Sequence, residues 1–222
     1  MKRFDCRAVL FDLDGVLVDS TAYIEGQWRR WAVSKGLRAE PFLEVCHGRR
    51  ALETIRLAAP HLDAEAEVAA FKPDESDYCE LIAPLPGTVR LLQLLPPESW
   101  AVATSGPRVT AIERLRLAGL PVPSVLVCAE DVIHGKPSPD VYLLAAASLG
   151  VAPSECVVIE DAPAGIEAAR AAGMGVIGLT TTHRRDQLPA DACTASLAGI
   201  HVGRLDHSSR GARLLELLVL DS

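Results

Sequence analysis

The sequence lacks the features of membrane, secreted and nucleic-acid-binding proteins. Its 222 residues contain no apolar run of membrane-spanning length, and the stretch MKRFDCRAVLFD meets acid too early for a secretory signal. No block of basic residues is interleaved with aromatics, and the formal net charge is -7, so a nucleic-acid partner is not expected. We therefore expect a cytoplasmic protein without a membrane partner.

Metal-cluster and nucleotide-binding patterns are also missing. The six cysteines are widely scattered, with no CxxC pair, at Cys6, Cys46, Cys79, Cys128, Cys156 and Cys193. We expect them to be small buried apolar side chains in a reducing compartment. No histidine stands at a convincing metal-ligand spacing, and no GxxxxGK[ST] loop indicates an ATP-dependent kinase. Gly173, Gly175 and Gly178 spell GxGxxG, but this pattern follows a helical segment instead of opening one, so we reject it.

Short apolar segments alternate with helical ones over most of the chain. Strands are predicted at Ala8–Phe11, Trp100–Gly106, Ser124–Glu130, Cys156–Asp161 and Gly175–Thr180. The helical segments between them are RVTAIERLRLAG, PDVYLLAAASLG and APAGIEAARAAG, each closed by glycine. This alternation predicts an α/β fold, a Rossmann-like parallel sheet with helices on both faces.

One region breaks the alternation because it is helical throughout. Helices are predicted in AYIEGQWRRWAVSKG, in RRALETIRLAAP and in DAEAEVAAFKPDESDYCEL, the last interrupted by Pro73. Trp28 and Trp31 share a helical face, for which core packing is the plain explanation. We predict a small all-helical cap domain of residues 20–84, inserted after the first strand, and an α/β core of residues 1–19 and 85–222. In the tail, SLAGIHVGRLDHSS is hard to place beyond an edge strand, and GARLLELLVL is predicted to be the last helix.

Polar residues stand where the predicted strands end. In VLFDLDGVLVDS, Asp12 and Asp14 fall on one side of an extended chain, where two carboxylates repel unless a cation lies between them. The alternative is an edge strand that ends in a solvated acidic turn. The other polar strand ends carry Thr104, Ser105 and Gly106, then Lys136, then Glu160 and Asp161. Because the carboxyl ends of parallel strands share one edge, we expect all of them to meet there.

These residue types suit phosphate chemistry. Carboxylates suit Mg²⁺, a cation that prefers oxygen ligands and phosphate. A hydroxyl, turn amides and a lysine suit phosphate oxygens. Together they predict phosphoryl transfer. Two alternatives stay open: Thr104 and Ser105 as helix-capping residues, and Lys136 as a solvated loop lysine.

The sequence resembles the haloacid dehalogenase superfamily. Its first motif DxDGxxxDS stands here as Asp12, Asp14, Gly15, Asp19 and Ser20; the later motifs match Thr104 or Ser105, Lys136-Pro137 and Glu160-Asp161. The helical insertion is similar to the small helical cap of this superfamily. HGRR at 47–50, EDAPAGIEAARAAGM and TTTH are similar to the branch that dephosphorylates small sugar and polyol phosphates.

The resemblance implies a role for each matched position. Asp12 would be the nucleophile that forms an aspartyl-phosphate, and Asp14 the acid and base. Mg²⁺ would be held by the Asp12 and Asp161 side chains and the Asp14 carbonyl, with Glu160 orienting the metal's waters. The remaining roles are phosphate binding by Thr104 or Ser105 with the Gly106 amide, and charge neutralisation by Lys136.

Three functions fit these residues: a Mg²⁺-dependent phosphatase for a small sugar or polyol phosphate, a sugar phosphomutase on the same scaffold, and a non-enzymatic phospho-accepting switch. The cap argues against the switch, because receiver domains lack one. We expect His47, Arg49 and Arg50 to reach substrate hydroxyls, with a surface or structural role as the alternative, and His183 to be a loop residue. We expect a small phosphate ester as the partner, and a monomer or weak dimer.

Overall fold

The computed structural model describes residues 1–71, 82–203, 206–207 and 213–220. The strands are β1 Lys2–Cys6, β2 Ala8–Phe11, β3 Val18–Asp19, β4 Ala83–Pro84, β5 Trp100–Ala103, β6 Leu126–Val127, β7 Cys156–Glu160, β8 Gly175–Leu179, β9 Ala192–Thr194, β10 Ile200–Val202, β11 Asp206–His207 and β12 Arg213–Val219. The α-helices are α1 Thr21–Ser34, α2 Glu40–Leu43, α3 Ala51–Ala58, α4 Ala64–Ala70, α5 Thr88–Leu94, α6 Arg108–Leu117, α7 Asp140–Leu149 and α8 Pro163–Ala171. In these residues no helix is long and apolar enough to cross a membrane.

The central element is a six-stranded parallel sheet in the order β6-β5-β2-β7-β8-β9. Helices α5 and α6 pack on one face through residues such as Leu91 and Leu115. Helices α7 and α8 pack on the other through Tyr142 and Ile166. The predicted α/β class is confirmed, and β2 lies inside the sheet with all four residues buried. This position explains the unbroken apolar run before Asp12.

A second, antiparallel sheet was not predicted. It has the order β1-β12-β10, with β11 also pairing with β12. The predicted last helix in GARLLELLVL is wrong, because residues 213–219 form β12. Leu215, Leu217 and Val219 are fully buried while their neighbours are partly exposed, which is the period of two of a strand. In this leucine-rich segment, pairing with β1 and β10 overrides helix propensity.

Helices α1 to α4 lie between β3 and β4, and we call residues 20–71 the helical insert. The two-residue ladder of β3 and β4 joins Val18 to Pro84 and Asp19 to Ala83, which brings the two ends of the insertion together. Trp28 packs against Trp31 and Phe42 in a separate apolar cluster, with ring centroids 5.6 and 5.7 Å away. The prediction that both tryptophans pack in an apolar core is therefore confirmed. Residues 72–81, including Pro73, lie outside the described part, and the domain boundaries stay predictions.

Candidate active site

Strand β2 ends at the site, and a tight turn follows it. The backbone N–H groups of Leu17 and Val18 both donate to the Leu13 carbonyl, and Gly15 has φ of 77°. A Cβ on Gly15 would lie 2.3 Å from Asp161 Oδ2. Glycine thus supplies both the left-handed conformation and the close approach that carries Asp12 and Asp14 to Asp161.

Lys136 lies beneath Asp12 with no exposed surface, so the solvated-lysine alternative is excluded. Its Nζ donates to Asp12 Oδ1 at 2.5 Å and to Glu160 Oε1 at 2.7 Å, and lies 4.9 Å from the Tyr142 ring centroid. Burial acts to lower the pKa of Lys136, but the two carboxylates outweigh it and raise that pKa well above its usual value. Lys136 is therefore a fixed cation next to the candidate nucleophile.

Burial also governs the ionisation of Asp12. It raises the pKa of Asp12 to about 7, against the opposing effect of Lys136 and with the help of Glu160 and Asp14. Burial therefore disfavours the ionised form of this carboxyl group. A divalent metal at the same place would favour the ionised form that a nucleophile requires.

Both oxygens of the Glu160 carboxylate accept hydrogen bonds within the protein. Its Oε1 accepts hydrogen bonds from Lys136 and from the Tyr142 hydroxyl at 2.9 Å, and its Oε2 accepts from the backbone of Asp161 and Ala162. A Cβ on Gly165 would overlap this carboxylate at 1.6 Å. Glu160 thus anchors Lys136 and the Asp161 backbone, and its role in orienting the waters of a metal stays a prediction.

Asp161 retains an oxygen suited to a cation. Its Oδ2 accepts from the Thr182 hydroxyl at 2.6 Å, whereas Oδ1 is buried without a hydrogen-bond partner. Burial raises the pKa of Asp161 well above its usual value, with Glu160 and Asp12 adding to the effect. Within the described residues no group of three His, Cys, Asp or Glu side chains is placed to hold a metal. Two carboxylates and a backbone carbonyl, as expected for Mg²⁺, remain compatible with this finding.

Asp14 is held by two donors that reach the same oxygen. The Ser20 hydroxyl donates to Oδ1 at 2.6 Å, and Arg114 Nη1 donates to it at 2.5 Å. Ser20 belongs to the first motif, but Arg114 was missed. It is one of several basic residues on α6, and nothing in the sequence distinguishes it from the exposed Arg116.

The turn after β5 is bonded within the protein. The Gly106 N–H donates to Thr104 Oγ1 at 3.0 Å, and the Ser105 hydroxyl donates to the Gly48 carbonyl of the helical insert at 2.9 Å. Thr104 is buried, whereas Ser105 and Gly106 are partly exposed. The predicted phosphate-binding groups are therefore assembled beside Asp12, and phosphate binding by Ser105 or Gly106 requires exchange of these bonds.

A cleft separates this edge of the sheet from the helical insert. Its empty volume is about 700 Å³, which includes space open to solvent. The lining includes Asp12, Asp14, Thr104, Ser105, Gly106 and Arg114 from the α/β part, and Gln27, Trp28, His47 and Arg49 from the insert. Polar groups from both sides therefore face one shared cleft.

His47 and Arg49 lie in the cleft as the sequence predicts. His47 Nε2 is 3.6 Å from Glu25 Oε1, and burial lowers the pKa of His47 despite that carboxylate. The His47 ring meets the His183 ring edge to face at 6.1 Å. His183 thus contacts residues of the site, and its ring nitrogen Nδ1 is 3.1 Å from the Asp161 carbonyl oxygen.

Arg50 lies elsewhere, and its predicted contact with substrate is corrected. The guanidinium is paired with Glu53, with Nε 2.9 Å from Oε1, and donates to the carbonyls of Ala129, Val132 and Ile133 at 3.1–3.3 Å. Arg50 is not among the residues that line the cleft. Arg50 joins helix α3 to the loop that leads to Lys136. It therefore has the structural role that was the alternative to substrate contact.

Replacing Arg50 with alanine is expected to loosen this junction. We expect amide hydrogen exchange in residues 51–58 and 129–135 to accelerate by at least about tenfold, because three carbonyls lose a charged donor. Arg56→Ala on the same helix is the matched control, since Arg56 and Glu65 form an exposed ion pair. Equal amide exchange in the two variants would contradict the role of Arg50 in joining α3 to this loop.

The chain matches the family described as haloacid dehalogenase-like hydrolase over residues 6–173. Hexitol phosphatase A of Escherichia coli is 45% identical over 179 residues, which cover 78% of this chain and 83% of that protein. Glycerol-1-phosphate phosphohydrolase 2 of Saccharomyces cerevisiae is 38% identical, covering 84% and 79%. The beta-phosphoglucomutase of Bacillus subtilis is 33% identical, covering 78% and 83%.

A solved structure has the same fold. The crystal structure of a hydrolase from Pseudomonas syringae superposes with a TM-score of 0.79 and 27% identity, over 87% of this chain and 94% of that one. The hypothesis of a non-enzymatic switch is excluded by the family match. This chain belongs to the haloacid dehalogenase-like hydrolases and is a phosphoric monoester hydrolase.

Proposed function

We propose that this enzyme is a Mg²⁺-dependent phosphatase that hydrolyses a small phosphorylated polyol or sugar through an aspartyl-phosphate. The observation that carries the proposal is Asp12 at the cleft, bonded to the fully buried Lys136 at 2.5 Å. A carboxylate beside a fixed cation can attack a phosphate group that would otherwise repel it. The names of the hexitol and glycerol-1-phosphate relatives support the substrate class.

The proposed reaction has two displacements at phosphorus. In the first, an Asp12 oxygen bonds to phosphorus while the bond to the substrate oxygen breaks, and Asp14 gives that oxygen a proton. In the second, a water oxygen bonds to phosphorus while the Asp12–phosphorus bond breaks, and Asp14 takes the proton of the water. Lys136 stays charged throughout and stabilises negative charge near Asp12.

The residues present fit Mg²⁺. The Asp12 and Asp161 side chains and the Asp14 carbonyl would hold it, and the unpartnered Asp161 Oδ1 supports this donor set. When bound, the ion would neutralise charge between carboxylates and phosphate.

The polar lining of the cleft supports a hydroxyl-rich leaving group. His47, Arg49 and Gln27 come from the insert and face the side on which Asp12 and Asp14 lie. Gln27 Nε2 is buried without a hydrogen-bond partner. A hydroxyl of a bound polyol would accept a hydrogen bond from Gln27 Nε2.

The test is phosphate release from a hexitol 6-phosphate, glycerol 1-phosphate, 2-deoxyglucose 6-phosphate and an aryl phosphate, with Mg²⁺ and with chelator. We expect release that depends on Mg²⁺ and is fastest with a polyol or sugar phosphate. Phosphate release that is equal with chelator, or absent from every substrate, would contradict the proposal.

A phosphomutase is the alternative, favoured by the beta-phosphoglucomutase relative. In that reaction the Asp12 phosphoryl group returns to a different hydroxyl instead of to water. Phosphorus NMR of β-glucose 1-phosphate with the enzyme would separate the two, because a mutase accumulates a rearranged sugar phosphate without free phosphate.

Cytoplasmic location and a monomer or weak dimer stay predictions.

Mg²⁺ is expected to stabilise the protein more at about pH 8 than at about pH 5.5. The pKa of Asp12 is raised to about 7 by burial, and that of Asp161 is raised well above its usual value for the same reason. An acid with a raised pKa binds more protons folded than unfolded, so its contribution to stability falls as pH rises toward that pKa. At the lower pH the metal must displace those protons, which weakens its binding.

Thermal unfolding with and without Mg²⁺ at both pH values measures this effect. The control is Asp161→Asn, in which the Mg²⁺-induced shift of the melting temperature should be small at both pH values. A larger shift for the unaltered enzyme at the lower pH would contradict the account.

A further inference from the structure

Arg114 is a buried cation that the proposed reaction does not use. It lies on α6 with 7% of its side chain exposed, next to the cleft. Its guanidinium lies 5.6 Å from the ring centroid of Tyr23 on α1, and its Nη1 donates to Asp14 Oδ1 at 2.5 Å. A buried guanidinium is costly unless it is paired. The carboxylate that pairs with it here belongs to the candidate acid and base.

The two oxygens of Asp14 have different surroundings. Oδ1 accepts from both Ser20 and Arg114. Oδ2 faces the turn after β5, because a Cβ on Gly106 would lie 3.9 Å from it. Two donors thus fix the carboxylate through one oxygen and leave the other directed at the predicted phosphate-binding groups.

We propose that Arg114 is a positioning residue that holds Asp14 so that Oδ2 exchanges protons with the leaving oxygen and then with water. This inference rests on the proposed phosphatase function. In the first displacement the proton on Oδ2 moves to the substrate oxygen as its bond to phosphorus breaks. The Asp14 carboxylate that results is stabilised by the guanidinium on Oδ1.

Geometry explains why one donor is not enough. With Ser20 alone, the carboxyl group is anchored by one neutral hydrogen bond and can rotate about it. Arg114 adds a charged hydrogen bond from a different element, and its guanidinium lies over the Tyr23 ring at 5.6 Å from the centroid. Small displacements of a catalytic group cost large factors in rate.

The test compares leaving groups in Arg114→Gln. Expulsion of an alcohol requires a proton, whereas an acidic phenol such as 2,4-dinitrophenol leaves without one. We expect kcat/KM for an alkyl phosphate to fall about a hundredfold, and kcat/KM for the activated aryl phosphate to stay within about threefold. The ratio kcat/KM covers only the steps up to cleavage of the substrate bond, so the second displacement does not affect it.

Three further variants complete the design. Arg116→Gln, an exposed position on the same helix, should change neither value. Arg114→Lys should show the same selective loss at about threefold to tenfold, and it decides the question if Arg114→Gln does not fold. In an Asp14→Asn background, Arg114→Gln should cause no further loss with the alkyl phosphate.

The outcomes separate the two proposals. Equal losses with both substrates, no loss with either, or an additive loss on top of Asp14→Asn would overturn the role of Arg114 alone. If the unaltered enzyme hydrolyses neither substrate, the proposed function itself fails.

Discussion

Replacing Asp12 with asparagine is expected to reduce phosphate release by at least about a thousandfold, because the amide cannot act as the nucleophile. The exchange keeps the shape of the side chain and one oxygen that can accept from Lys136. It also removes a carboxyl group whose burial is unfavourable. We therefore expect the melting temperature to be kept or raised, so that loss of activity cannot be assigned to unfolding.

Steady-state phosphate release and thermal unfolding measure these two effects. Asp5→Asn, at an exposed position on β1, is the matched control and should behave like the unaltered enzyme. If Asp12→Asn kept a tenth or more of the activity, Asp12 would not be the nucleophile.

Replacing Lys136 with methionine is expected to remove activity and also to destabilise the fold by about 3–5 kcal/mol. Lys136 is fully buried between Asp12 and Glu160. Its loss leaves two buried carboxylates without their cation. A surface lysine contributes far less, so Lys35→Met, which breaks a partly exposed pair with Glu67, should cost less than about 1 kcal/mol.

A double variant separates the stability effect from the catalytic one. In Lys136→Met with Glu160→Gln, one of the two carboxylates left without Lys136 is neutral, so part of the lost stability should return. Activity should stay lost, because Asp12 still has no cation beside it. Urea unfolding of the single and double variants measures the coupling. Strictly additive losses would show that the buried pair does not stabilise the fold as described.

The parts of the fold that follow local rules were predictable from sequence. The strand before Asp12 is buried on both faces, and the helices α6, α7 and α8 end near glycines, so apolar runs and caps indicate them. Strand β12 was not predictable in this way. Its leucines fit a helix by propensity, and pairing with β10 and with β1, some two hundred residues away, selects the strand.

The candidate site was likewise predictable only in part. Asp12, Lys136 and Asp161 were predicted because strand ends meet at one edge, where Lys136 bonds to Asp12 and Asp161 approaches the turn that follows β2. Arg114 and Arg50 were not placed correctly, since the role of an arginine depends on the partner it meets. Arg114 meets Asp14 across a hundred residues of sequence. Arg50 meets three backbone carbonyls of a distant loop, and no side-chain pattern marks a carbonyl as an acceptor.

The most direct test of the central claim is to look for the phosphoryl group on Asp12 during turnover. The enzyme, Mg²⁺ and a polyol phosphate would be mixed, quenched in acid within one turnover, digested and analysed by mass spectrometry. The account predicts one added phosphoryl group on the peptide that contains Asp12, and none in Asp12→Asn. Rapid phosphate release with no phosphorylated peptide, or with the group on another residue, would contradict it.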